Sequence, residues 1–64
     1  MKRSALEKHL RSLGCTFVAH KTRHDAWRGP DGQASVIGRH KEIAPNVVRA
    51  ICKQLGIDPP HNPN

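Results

Sequence analysis

The sequence predicts an α+β domain in the order helix–strand–strand–strand–helix, with three antiparallel strands carrying both helices on one face. Three observations predict it. Leu6, Leu10 and Leu13 recur at spacings of four and three, and Val48, Ile51, Cys52 and Leu55 fall at i, i+3, i+4 and i+7, so both ends of the chain carry an amphipathic helical stripe. Between them lie short segments of apolar and β-branched residues, two of which flank Gly29-Pro30-Asp31-Gly32, a strong turn signal. A chain of 64 residues has room for one domain, and at this size it buries only about 60% of its unfolded surface. A fold for a nucleotide cofactor or a deep enclosed pocket does not fit in it.

The first helix is expected over residues 4–13. Ser4-Ala5-Leu6-Glu7 has the pattern of a capping box, in which the Ser hydroxyl accepts from the Glu7 amide while the Glu7 carboxylate reaches back to the Ser4 amide. Gly14 suits the left-handed position that ends a helix. Cys15–His20 reads as the first strand, although adjacent apolar Phe17 and Val18 leave its buried face undetermined. His24–Arg28 and Gln33–Ile37 form a hairpin around the Gly-Pro-Asp-Gly turn. Alternation puts His24, Ala26 and Arg28 on one face of the second strand and Asp25 with Trp27 on the other.

Gly38–Glu42 is a polar, basic connection. Pro45 suits the first position of the second helix, Ile43 can staple onto Val48, and Gly56 ends the element. The domain therefore spans 1–57, and the proline-rich residues 58–64 form a flexible tail. This element order is that of a double-stranded RNA-binding domain, though order alone does not fix function.

Charge points to a polyanionic partner. The net charge is +6, and nine of the eleven lysines and arginines precede Glu42. Phosphate contacts made by such a surface give salt-sensitive, sequence-independent affinity. No apolar run approaches the roughly 20 residues of a membrane span, and Met-Lys-Arg-Ser-Ala-Leu-Glu lacks a signal-peptide h-region. The expectation is a cytoplasmic protein without membrane contact. Cys15 and Cys52 fall at apolar positions and are expected as buried, reduced thiols.

The chemistry is expected at Lys21-Thr22-Arg23-His24. Histidine exchanges a proton at neutral pH, and cations beside it attract phosphate. RNA carries its own nucleophile, the 2′-hydroxyl, so cleavage needs a base to take that proton and cations to stabilise the phosphorane. His24 is the candidate catalytic base. Lys21, Arg23, Arg28, Arg39, His40 and Lys41 are the candidate RNA- or phosphate-binding residues, and His40 could also protonate the leaving 5′-oxygen if folding brings it close. No metal or cofactor is expected: neither Cys-x-x-Cys nor His-Glu-x-x-His occurs. Trp27 is assigned to the core rather than to base stacking.

The sequence resembles the HicA family of small toxin ribonucleases. The resemblance rests on Ser4–Gly14, a helix ending in Leu-Gly; on His24–Trp27; and on Arg28–Gly32, an Arg-x-Pro-Asp-Gly segment. It continues through Arg39–Ile43, with Arg-His before an acidic-Ile pair, and Lys53–Gly56, a helix end Lys-Gln-Leu-Gly. It implies a double-stranded-RNA-binding-like fold, metal-independent cleavage of mRNA, and neutralisation by a HicB-like antitoxin protein that covers the active site. His24 matches the family's catalytic histidine. Here Thr22-Arg23 replaces the usual Gly-Ser before it, and Gly38 stands where proline is common. A non-catalytic RNA-binding module of the same fold, and a basic protein that binds only another protein, fit the same charge pattern.

Overall fold

A computed structural model describes residues 1–61. Its order is α1 (Arg3–Ser12), β1 (Thr16–His20), β2 (His24–Arg28), β3 (Ala34–Gly38) and α2 (Pro45–Leu55), with an antiparallel sheet in the order β1-β2-β3. The expected α+β architecture is observed. Leu6 and Leu10 of α1 and Val48, Ile51, Cys52 and Leu55 of α2 bury against Trp27 and Ile37 of the sheet, with Cys15 and Ile43 closing the core. This is where the periodicity places them, and Trp27, 1% exposed, is core.

The start of α1 departs from expectation. The helix begins at Arg3 after an extended Lys2, and no side-chain cap forms. Instead the Arg3 amide donates to the Lys41 carbonyl at 2.8 Å, and Lys2 bridges to Glu42, so the backbone of the 39–42 connection caps the helix. That contact moves the start one residue earlier and leaves Ser4 inside the first turn, where its hydroxyl cannot act as an N-cap. Glu7 pairs with Arg3 one turn back, at 3.6 Å.

Both helices end in a Schellman motif. Gly14 donates to Arg11 and Cys15 to Leu10; Gly56 donates to Lys53 and Ile57 to Cys52, with both glycines at positive φ. Because α1 stops at Ser12, Leu13 swings off the apolar stripe and is 40% exposed rather than core.

β1 starts at Thr16 and lies at the edge of the sheet. Its register with β2 is interrupted: Phe17 faces Trp27, but Ala19 faces Ala26 and His20 faces Asp25, leaving Val18 as the extra residue of a bulge. Phe17, half exposed, meets Trp27 edge-to-face at 5.8 Å, while the Arg11 guanidinium lies 5.1 Å from the Trp27 ring. The β2–β3 turn takes Gln33 as well, since the Gly29 amide donates to its carbonyl at 2.7 Å; β3 is therefore displaced by one residue from the expected 33–37. Asp58–His61 form no regular element, and the Asp58 carbonyl accepts from His9 Nε2 at 2.9 Å. The remainder of the expected tail, 62–64, lies outside the described residues.

Candidate active site

The end of the sheet formed by the β1–β2 turn and the exit of β3 gathers most of the expected site. The Lys21 amide donates to the His24 carbonyl at 2.9 Å, which closes the turn and presents Lys21, Thr22 and Arg23 to solvent. His24 opens β2, half-buried, on the sheet face away from the core.

Directly across from His24 is Gly38, and cross-strand partners of this kind have β-carbons about 5 Å apart on the same face. A β-carbon at Gly38 would stand 3.2 Å from Cδ2 and 3.6 Å from Nε2 of His40. The His40 ring therefore lies against the place a side chain at 38 would take. Two imidazoles lie at neighbouring positions on the open face.

On the core-facing side of the same strand, Asp25 is buried, its side chain 6% exposed. An isolated carboxylate there would be costly. Two partners answer it. His20 Nδ1 lies 2.7 Å from Asp25 Oδ1, and Arg39 Nε lies 3.7 Å from the same oxygen. A carboxylate only accepts, so Nδ1 carries the hydrogen, and the second ring nitrogen of a side chain 64% exposed is left for solvent. The Arg39 guanidinium also donates to the Lys21 carbonyl, tying the exit of β3 to the β1–β2 turn. Arg39, expected as a phosphate contact, is thus engaged within the protein.

Beside this cluster runs an open cleft of about 480 Å³. Lys2, Arg3, Arg39, His40 and Lys41 line it, opposed by Glu7 and Glu42, so its walls are net positive. Arg28 stands apart. It lies four residues along β2 from His24, roughly 13 Å at about 3.3 Å per residue, and its guanidinium donates to the Gly32 carbonyl at 3.0 Å. Lys21, Arg23, Arg39, His40 and Lys41 thus share the sheet end with His24, and Arg28 belongs to the opposite one.

Both cysteines are buried free thiols. Burial pushes each above its usual pKa, and Cys52 is raised further by Cys15 beside it. Neither offers a thiolate at neutral pH. Among the described residues, no three His, Cys, Asp or Glu side chains converge as metal ligands, and no helix is long and apolar enough to cross a membrane.

The grouping of His20, Asp25 and Arg39 lies outside what sequence reasoning provides. The available signal is Asp25 itself: a carboxylate sharing a strand face with a tryptophan requires a partner.

These elements define a small α-β-β-β-α domain with cations gathered at one end of its sheet. Residues 3–57 match the family described as HicA toxin of bacterial toxin-antitoxin, and the chain belongs to that family. No curated protein and no solved structure matched it.

Proposed function

We propose that this toxin is an endoribonuclease that cleaves mRNA without a metal ion, using His24 as general base. The observation that carries the reading is the position of His24. It stands half-buried at the open end of β2, beside the Lys21–Arg23 turn and across from the glycine over which His40 lies. In this mechanism His24 takes the 2′-hydroxyl proton, and the 2′-oxygen attacks phosphorus. The bond to the 5′-oxygen then breaks, leaving a 2′,3′-cyclic phosphate and a 5′-hydroxyl. Lys21, Arg23 and His40 hold the charge that builds on the non-bridging oxygens, and Lys41 extends the binding surface along the cleft. The toxin's partner is a HicB-like antitoxin protein that brings carboxylates over the same end of the sheet, since complementary charge speeds association and fixes orientation.

The test is His24→Ala. Positioned acid–base groups contribute about 10²–10⁴-fold to rate, so cleavage of a long RNA in EDTA should fall by that factor, and growth arrest on expression should disappear. The thermal melt should stay within about 0.5 kcal/mol of the parent. Equal cleavage by the two proteins removes His24 from the mechanism. Absence of cleavage by the parent chain, with RNA still bound, leaves a binding module in its place.

A further inference from the structure

We infer that His20 is a second catalytic residue of this toxin, the acid that protonates the leaving 5′-oxygen, and that Asp25 is its positioning residue. The inference rests on the ribonuclease reading above and adds a residue to it.

His20 is held from behind. Its Nδ1 donates to a buried carboxylate at 2.7 Å while most of the ring is exposed. A buried carboxylate behind an exposed imidazole fixes ring orientation and tautomer and supplies the counter-charge when both nitrogens are protonated. Arg39, just past the end of β3, braces the same carboxylate. Among the described residues no comparable partner holds a nitrogen of His40, whose ring lies against the bare backbone of Gly38.

The bulge in β1 decides which way His20 faces. Continuing the register from Phe17 opposite Trp27 without interruption would set His20 against His24, on the open face. The extra residue at Val18 sets it against Asp25 instead. Bulges re-aim side chains in this way, often beside active sites.

When the 2′-oxygen attacks phosphorus, the 5′-oxygen leaves from the opposite side, with entering and leaving oxygens roughly in line. Base and acid must therefore approach the phosphate from opposite sides. His24 leaves β2 on the open face, and His20 is turned towards Asp25 on the other, both at the mouth of one tight turn. A phosphate seated on the Lys21–Arg23 turn has one imidazole on each side. His40 lies on the His24 side, which suits it to contact phosphate rather than to protonate the leaving group. The step balances: the proton taken by His24 leaves the 2′-hydroxyl, the proton given by His20 Nε2 joins the 5′-oxygen as the P–O5′ bond breaks, and solvent exchange restores both.

The test uses an oligonucleotide with a single 2′-hydroxyl, placed at a site where the parent protein cuts long RNA, made with either a 5′-oxygen or a bridging 5′-sulfur leaving group. A thiolate departs without needing a proton. His20→Asn keeps an amide donor for Asp25 and removes the outward nitrogen. It should lose about 10²–10⁴-fold on the oxygen substrate and run near the parent rate on the sulfur substrate. Asp25→Asn should be slowed less on oxygen and be rescued likewise, whereas His24→Ala should stay slow on both. Matched melts establish that each variant is folded; if His20→Asn melts early, His20→Gln takes its place. Equal losses by His20→Asn on the two substrates, no loss on either, or sulfur rescue of His40→Ala in its stead would overturn the assignment while leaving the ribonuclease reading standing. A parent protein that cuts neither substrate would overturn that reading itself.

Discussion

One chemical change made at opposite ends of the sheet should separate the two things this small sheet does. At Gly29 a β-carbon would fall 2.0 Å from the Leu55 carbonyl oxygen and 2.7 Å from Gln33 Oε1. The nearer atom is backbone at the C-terminus of α2, fixed by the Schellman bonds of Gly56 and Ile57, so it cannot step aside. At Gly38 the same atom would meet only the rim of the His40 ring, at 3.2 Å, and a surface imidazole yields by a few tenths of an ångström. Overpacking a rigid site costs about 1–3 kcal/mol, and Gly29→Ala should lie at or above the top of that range. A domain of this size has roughly 3–10 kcal/mol in total, and each kcal/mol shifts its melting point by about 4–8 °C. Gly29→Ala should therefore melt roughly 10–20 °C early. Below its transition it should cut RNA at the parent rate, because the turn it disturbs is a strand's length from His24. Gly38→Ala should reverse the pattern. Relief of the glycine entropy cost offsets the mild contact, so the melt should hold or rise by up to about 1 kcal/mol. Displacing His40 from beside His24 should slow cleavage about tenfold, given that an ångström of misplacement can cost about 10²-fold. Circular-dichroism melts paired with single-turnover RNA cleavage at about 20 °C, below either transition, measure both quantities. Full activity in Gly38→Ala would show that the position of His40 does not matter. A Gly29→Ala melt within about 2 °C of the parent, less than the shift of a single kcal/mol, would show that the approach of Gly29 to Leu55 is not tight.

Two further outcomes follow from charge and burial. RNA affinity should fall with salt at a slope of about −0.7 per phosphate neutralised; Lys21→Ala should flatten that slope by about 0.7 and slow cleavage, while Arg28→Ala should flatten it without touching the cleavage step. A salt-independent affinity in filter binding would refute the phosphate role. Because burial raises both cysteines above their usual pKa, less thiolate is present near neutral pH than in an exposed thiol. A thiol reagent at mildly alkaline pH should label Cys15 and Cys52 slowly in the native protein and promptly in denaturant, and rapid native labelling would contradict their burial.

What can be read from the sequence divides by range. The helical stripes, the glycines that end the helices and the Gly-Pro-Asp-Gly turn are local patterns, and each falls within a residue or two of its expected place. Ser4 shows the limit. Its capping box is a sound local signal that loses to a long-range one, because the Lys41 carbonyl takes the Arg3 amide and starts the helix a residue early. Arg39 and Arg28 are legible as cations, but their engagement within the protein is not, since their acceptors, the Asp25 carboxylate and the Lys21 and Gly32 carbonyls, are chosen by folding. The least legible feature is the one the site depends on most. Thr16-Phe17-Val18-Ala19 carries no proline or glycine to mark a bulge, yet one extra residue reverses the facing of everything after it. Counted without it, His20 is a spare imidazole opposite His24, and Asp25 is a buried carboxylate still short of a partner. Counted with it, each supplies what the other lacks: the carboxylate gains a donor at 2.7 Å, and the imidazole gains a fixed orientation with one nitrogen free. The bulge would be hard to retain in an edge strand for packing alone, because the residue it adds, Val18, is half exposed. Deleting Val18 should accordingly cost little core and return His20 to the open face, with loss of cleavage on an oxygen leaving group. If the deletion variant melts like the parent and still cuts oxygen-linked RNA at the parent rate, the pairing of His20 with Asp25 has no part in the chemistry.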